Sequence, residues 1–323
     1  MSRMIFILGI SLGSIAVGYL SKRLVAKRSS EPRDGLSSIS RRLKLIAFFF
    51  LNPLVLISTF WELKILDFRL ILLPVMGVLS ILLGMLGALA AIRIMNIPPF
   101  QAGSTFTCGA FSNILTIGGL VAYTLFREPG YALIQLFTIA MSPVYYLLGF
   151  PISANVGHGR RPVYRVGWAS FKENPYLVIP LLAIGVGFAV KATGITRPAV
   201  FAGFITVIIP FVAAMLGVAI GFTLRFTAFV LYAREITVIV AIRHLLVPAC
   251  MIPLAVALGF GGVSEGLALK VIIISSVMPV AFSALVPPAI YGFDLDLANS
   301  AWMASTVLLA VIVPALFLLF RTI

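Results

Sequence analysis

Long apolar runs separated by short polar connections make up almost the whole chain. Apolar stretches of 17 to 25 residues recur from one end to the other. A helix needs about 20 such residues to cross roughly 30 Å of hydrocarbon. The pattern predicts ten spans, at 4–20, 43–60, 69–92, 102–126, 130–150, 175–192, 198–220, 238–259, 269–291 and 297–320. A β-barrel would show shorter segments of alternating polarity, so the expected fold class is an all-α polytopic membrane protein. Two polar connections stand out: 21–42, rich in Lys, Arg and Ser, and 151–174, which contains Gly159-Arg160-Arg161-Pro162 near the middle of the chain. The stretch 222–241 is ambiguous, and an amphipathic segment lying in the membrane interface is one reading of it.

Composition sharpens this picture. The chain is 61% hydrophobic and 11% charged, against about 25% charged in an ordinary soluble domain. The net charge of +14 fits basic loops at the cytoplasmic face of a membrane protein, and no nucleic-acid partner is expected. Sixteen of the 24 Lys and Arg residues fall in the connections after odd-numbered spans and the helix starts they lead into. The positive-inside rule then places loops 21–42 and 151–174 in the cytoplasm and both termini outside. Residues 4–20 run into Ser21-Lys22-Arg23 without a small-residue cleavage site, which predicts a retained first span rather than a signal peptide. Cys108 and Cys250 both lie in apolar runs and are expected to be small buried residues, not disulfide partners or metal ligands.

The chain also repeats itself. Val17-Gly18-Tyr19 resembles Val186-Gly187-Phe188, an offset of 169. Arg69…Pro74 resembles Arg243…Pro248, offset 174. Ala110-Phe111-Ser112 recurs as Ala281-Phe282-Ser283, and Pro143…Leu147-Leu148 as Pro314…Leu318-Leu319, both at 171. A five-span unit is odd, so its second copy enters the membrane from the opposite side. This predicts two inverted five-helix repeats, 1–150 and 175–323, joined by a cytoplasmic linker, 151–174. Secondary transporters are commonly built so, with substrate bound near the midplane where interrupted helices meet.

The segment GAFSNILTIGGLVAYTLF in span 4 fits that architecture. It carries Ser112-Asn113 and then Gly118-Gly119, which weaken a helix. Its counterpart, span 9, carries Pro279 and then Pro287-Pro288, which remove donors and clash with the preceding turn. Spans 4 and 9 are therefore expected to be interrupted and to cross. A broken helix offers free N–H groups and a positive dipole end to an anion, and the Asn113 amide can both donate and accept. Glycine and proline also serve close packing in membrane helices, and the paired occurrence is what favours a site.

At these residues the sequence resembles the auxin efflux carrier family, the PIN-like transporters and their bacterial relatives. The resemblance rests on Gly18-Tyr19-Leu20 before basic residues, Asn52-Pro53-Leu54, Phe111-Ser112-Asn113 with Gly118-Gly119, Leu216-Gly217-Val218-Ala219, Met278-Pro279-Val280, Tyr291-Gly292 and Leu297-Ala298. It covers nearly the whole chain with short motifs. It implies ten helices, a scaffold and a transport domain, and organic-anion substrates such as dicarboxylates or auxin. Two features depart from the family: Gly118-Gly119-Leu120 lacks a following proline, and the central connection is short.

The acidic residues all fall in connections by these spans, which argues against a proton-exchanging antiporter with midplane carboxylates. Glu235 is expected at a helix end. Arg243-His244 is expected as a snorkelling basic pair at a helix start rather than a proton relay. Asp294 and Asp296 are placed in the loop between spans 9 and 10. No P-loop, hydrolase constellation or Cys/His cluster is found, so neither enzyme activity nor a cofactor or metal is expected. The sequence reading is a secondary carrier of small organic anions working by alternating access, with Asn113, Ser112, Gly118, Gly119, Ser283, Pro287, Pro288 and Tyr291 at the substrate. H⁺ or Na⁺ coupling and a homodimer stay open. A bile-acid-type sodium symporter and a non-transporting membrane sensor are the alternatives.

Overall fold

The computed structural model describes residues 2–28, 38–40, 42–43, 45–63, 68–158, 175–222 and 230–322. Every named element among them is helical. Six helical segments are long and apolar enough to cross a membrane: Arg3–Val25, Phe68–Ile94, Ile114–Gly157, Ala199–Gly221, Ala233–Ala257 and Leu295–Phe320. Shorter apolar helices lie at Phe49–Glu62, Val178–Ala192, Leu267–Ser276 and Phe282–Tyr291. The chain is an all-helical membrane protein.

The segment Ile114–Gly157 has 44 residues, about 66 Å of helix and twice the thickness of hydrocarbon. It is divided at Arg127, whose backbone (φ 60, ψ −152) is not helical. Tyr123 and Tyr131 lie on either side and meet edge-on, with ring centroids 6.4 Å apart. Eight residues of straight helix would separate them by about 12 Å, so the chain turns at Arg127 ahead of Pro129 and Gly130.

The polar connections are shorter than their composition suggests. Helix Ser14–Arg28 carries the first span into the region expected as loop. Helix Phe150–Gly157 does the same at the middle of the chain. The rest of both connections lies mostly outside the described residues, as do residues 223–229 of the ambiguous stretch 222–241. The described end of that stretch, Ala233–Ala241, opens a membrane-length helix.

Two compact units divide the chain, and each draws on both halves of the sequence. One holds residues 1–65, 119–132 and 174–224; the other holds 66–118, 133–173 and 225–323.

In the first unit, glycines set the closest approaches. A Cβ on Gly221 would lie 2.7 Å from the Tyr19 nitrogen and 2.8 Å from the Gly18 Cα. A Cβ on Gly18 would in turn strike the Val218 carbonyl. Helices Ser14–Arg28 and Ala199–Gly221 thus meet backbone to backbone, the way membrane helices gain packing without a hydrophobic driving force. Helices Asn52–Glu62 and Pro175–Ala192 meet similarly, since a Cβ on Gly187 would lie 2.8 Å from the Ile57 carbonyl oxygen. Val55, Tyr123, Tyr131, Ile205 and Ile209 form a buried cluster. Arg197 is only 8% exposed and pairs with Glu128 and Glu62, while its Nη1 also donates to the Ser58 carbonyl at 3.2 Å. A nearly buried charge is tolerable when paired and hydrogen-bonded in this way.

In the second unit, Gly84 and Gly109 let helix Leu73–Ile94 lie on helix Pro99–Ala110: a Cβ on Gly84 would be 2.6 Å from the Gly109 carbonyl oxygen. Cys108, buried, points its thiol at the Ala298 carbonyl 3.9 Å away in helix Leu295–Val307. Asp294 is buried and caps that helix, accepting from the Leu297 N–H at 3.0 Å, as N-cap carboxylates do. Asp294 thus lies in the connection, as expected, and caps the helix, whereas Asp296 lies in the first turn of that helix rather than in the loop. Glu235 sits in the first turn of its helix, where a sequence-based reading places it. Cys250 is exposed on an apolar helix, not buried as expected.

Candidate functional site

Two helices of the second unit stop and restart. Helix Pro99–Ala110 ends at Phe111, which is extended (φ −98, ψ 128), and helical turns resume at Ile114. Helix Leu267–Ser276 ends at Val277, and helical turns resume at Phe282. In the second gap Pro279 lacks an N–H and disfavours helix at Met278. In the first, the Ser112 hydroxyl makes no hydrogen bond among the described residues, and the extended backbone is held by its pairing with the second gap.

The gaps pair with each other. Ser112 and Val280 form an antiparallel bridge. The Asn113 N–H donates to the Pro279 carbonyl at 2.8 Å, and the Ala281 N–H donates to the Phe111 carbonyl at 2.8 Å. The remaining donors are met by side chains. The Ser112 N–H donates to the Tyr145 hydroxyl at 3.2 Å. The Val280 N–H donates to Ser305 Oγ at 3.1 Å. Non-helical backbone at membrane depth is viable only when protein or a wet cavity satisfies it, and here protein does. The N–H groups of Ser112, Asn113, Val280 and Ala281 are therefore used internally. Of the donors the sequence offers at the two breaks, these four are taken up by protein.

Tyr145 is fixed by stacking on Phe111, with ring centroids 4.1 Å apart. The ring of Phe111 fits because residue 149 is glycine; a Cβ there would lie 2.5 Å from Phe111 Cζ. Tyr145 opens a π-helical turn, Tyr145–Gly149, and a second such turn, Ile114–Gly118, leaves the first gap. Its first bond runs from the Gly118 N–H to the Asn113 carbonyl at 3.3 Å. π-turns of this kind often accompany functional sites.

A third π-turn, Ile242–Leu246, carries Arg243. This side chain is fully buried. Its Nη2 reaches the Met278 carbonyl, in the second gap, at a long 3.5 Å, while Nε and Nη1 have no acceptor among the described residues. No carboxylate among the described residues pairs with it. The expectation of a snorkelling pair at a helix start is thus overturned. The helix begins at Ala233, not near 238, so Arg243 lies in the interior of a 25-residue apolar segment. It also leaves the tally of loop cations.

The sequence-predicted residues separate on inspection. Ser112 and Asn113 stand at the crossing and are buried, 6% and 8% exposed. The Asn113 side chain has no partner among the described residues, and some of its surface stays open. Gly118 is buried beyond the gap, where a Cβ would lie 3.2 Å from Met278 Cγ, and Gly119 belongs to the first unit, 3.2 Å by the same measure from Tyr131 Cε2. Both are spacing residues rather than the breakers themselves. Pro287 and Pro288 are buried in the first turn of helix Val286–Tyr291, where proline is at home, so they start a helix instead of interrupting one. Ser283, half-buried, accepts the Val286 N–H on its carbonyl. Tyr291 has ring contacts with Phe293 at 5.6 Å and His158 at 6.4 Å. Arg243, Tyr145 and Ser305 were missed. For Arg243 a signal was present: a lone cation inside ITVIVAIRHLLVPACMIPL, a functional hypothesis by default in a membrane span.

No protein-family model matches the chain, and no curated protein matches it.

Proposed function

We infer that the chain is a secondary carrier of small organic anions, working by alternating access in the cell membrane. The observation that carries this reading is a buried guanidinium with unused donors beside a pair of interrupted helices. An interrupted pair of helices is the usual place for a carrier's substrate, and a buried cation without a counter-ion is costly until an anion arrives. A carboxylate suits it, because guanidinium and carboxylate form a planar, charge-assisted pair. Asn113 is the second donor in this reading.

Ten spans arranged as two inverted five-helix repeats account for the helices. Arg127 divides the longest segment into two, and the gapped helices each combine two short pieces, Pro99–Ala110 with the turns from Ile114, and Leu267–Ser276 with Phe282–Tyr291. Gly18 and Gly187, 169 apart in sequence, are each a point of close approach of their helix to a neighbour, which supports the repeat. The likeness to auxin efflux carriers belongs to the same proposal, as do termini outside, cytoplasmic loops and the absence of enzyme activity.

Reconstitution tests the reading. Purified full-length protein in proteoliposomes should take up at least one anion from a labelled panel of lactate, benzoate, indole-3-acetate, malonate and succinate, saturably and faster than protein-free vesicles. Folded protein that moves none of them would sink the carrier reading.

A further inference from the structure

We propose that Arg243 is the fixed countercharge of the site and that it makes the carrier an anion exchanger selective for monoanions. This rests on the carrier reading above. Arg243 is fully buried, its Nε and Nη1 lack acceptors among the described residues, and Nη2 makes one long contact to the Met278 carbonyl. Tyr145 and Ser305, the nearby polar side chains that could have compensated the gaps' surroundings, already serve the N–H groups of Ser112 and Val280. The polar side chains left at the crossing are therefore one permanent positive charge, since guanidinium stays protonated, together with the Asn113 amide, the Ser112 hydroxyl and the neighbouring His244 imidazole, which in its neutral form leaves that charge unchanged.

The charge has consequences for each state of the cycle. An empty site holds an uncompensated cation in a low-dielectric interior, which is costly to carry through the membrane. A site holding a carboxylate monoanion is neutral overall. A dianion leaves one negative charge over. The loaded monoanion form therefore crosses readily and the empty form does not, so inward movement of one anion requires outward movement of another. No coupling cation is needed to balance charge, and the exchange moves no net charge. A purely structural Arg243, holding the broken helix through Met278, predicts none of this.

The experiment compares two kinds of vesicle containing full-length protein, with the anion panel above as probe. Uptake into vesicles preloaded with the same unlabelled anion should exceed uptake into unloaded vesicles by at least about tenfold, the mark of a slow empty-carrier step. Exchange of monocarboxylates should be unchanged by a potassium-diffusion potential and should outpace that of dicarboxylates. Arg243→Gln, verified as folded by thermal unfolding and a single gel-filtration peak, should lose both substrate flux and the loading effect, while Arg243→Lys should keep part of each. Should Arg243→Gln fail to fold, loaded against unloaded wild-type vesicles decides the matter alone. Equal uptake into loaded and unloaded vesicles, or folded Arg243→Gln behaving as wild type, would overturn the inference and leave the carrier reading standing. Absence of flux for every anion would remove both.

Discussion

Asn113 and Arg243 show what a single residue discloses at this site. The amide was visible in the sequence because it interrupts an apolar run, and its side chain has no partner among the described residues beside the bridge of Ser112 and Val280. Replacing it separates binding from support. Asn113→Ala should leave folding largely intact and weaken uptake by about tenfold, the worth of one hydrogen bond to a charged group. Asn113→Asp should weaken it further near neutral pH, because an ionised carboxylate repels the substrate, with partial recovery on acidification. Uptake against pH for folded protein reads both; wild-type affinity in both variants removes Asn113 from the site. Arg243 was misread because its helix begins at Ala233 and not beside it. A boundary error of a few residues turned an interior charge into a surface one. Tyr145 carried no sequence signal, since its task depends on a fold that brings it to Ser112. Tyr145→Phe leaves the Ser112 N–H without an acceptor and should cost about 1–3 kcal/mol of stability, read by thermal unfolding.

At the scale of elements, the sequence indicated two interrupted segments and offered two breakers in each, of which only Ser112-Asn113 and Pro279 lie in the gaps. Gly118-Gly119 and Pro287-Pro288 drew the eye as breakers, yet the gaps fall at Phe111–Asn113 and Val277–Ala281. The reason is physical: glycine is as useful for admitting Met278 as for weakening a helix, and proline is as natural in a first helical turn as it is disruptive in an interior. Only Pro279 breaks its helix where it stands. Which backbone groups the gaps leave for a ligand was not legible, because the compensating Ser305 and Tyr145 arrive from other helices. Two substitutions express the contrast. Pro287→Ala should change stability by under about 1 kcal/mol, the scale of a proline's effect on the unfolded chain. Ser305→Ala orphans the buried Val280 N–H and should cost about 1–3 kcal/mol. A thermal-unfolding comparison of the two that reversed this order would contradict the assignment of the gaps.

For the whole molecule, apolar run length made the helical membrane class legible from the sequence, whereas the grouping into two units was not, because each unit gathers segments distant in the chain. In the first unit Gly18 and Gly221 set the approach of two helices. Gly18→Val should cost about 1–3 kcal/mol by overpacking, seen as a lower unfolding temperature. The two cysteines give the molecule a different use. Cys108 is sealed between helices Pro99–Ala110 and Leu295–Val307, and Cys250 stands on an open helix face. An apolar thiol reagent should therefore mark Cys250 at once and reach Cys108 only when those helices part. The slow phase of its labelling is then a built-in stopwatch, reporting how often the region around the crossing opens in the native protein without any probe having been engineered into it.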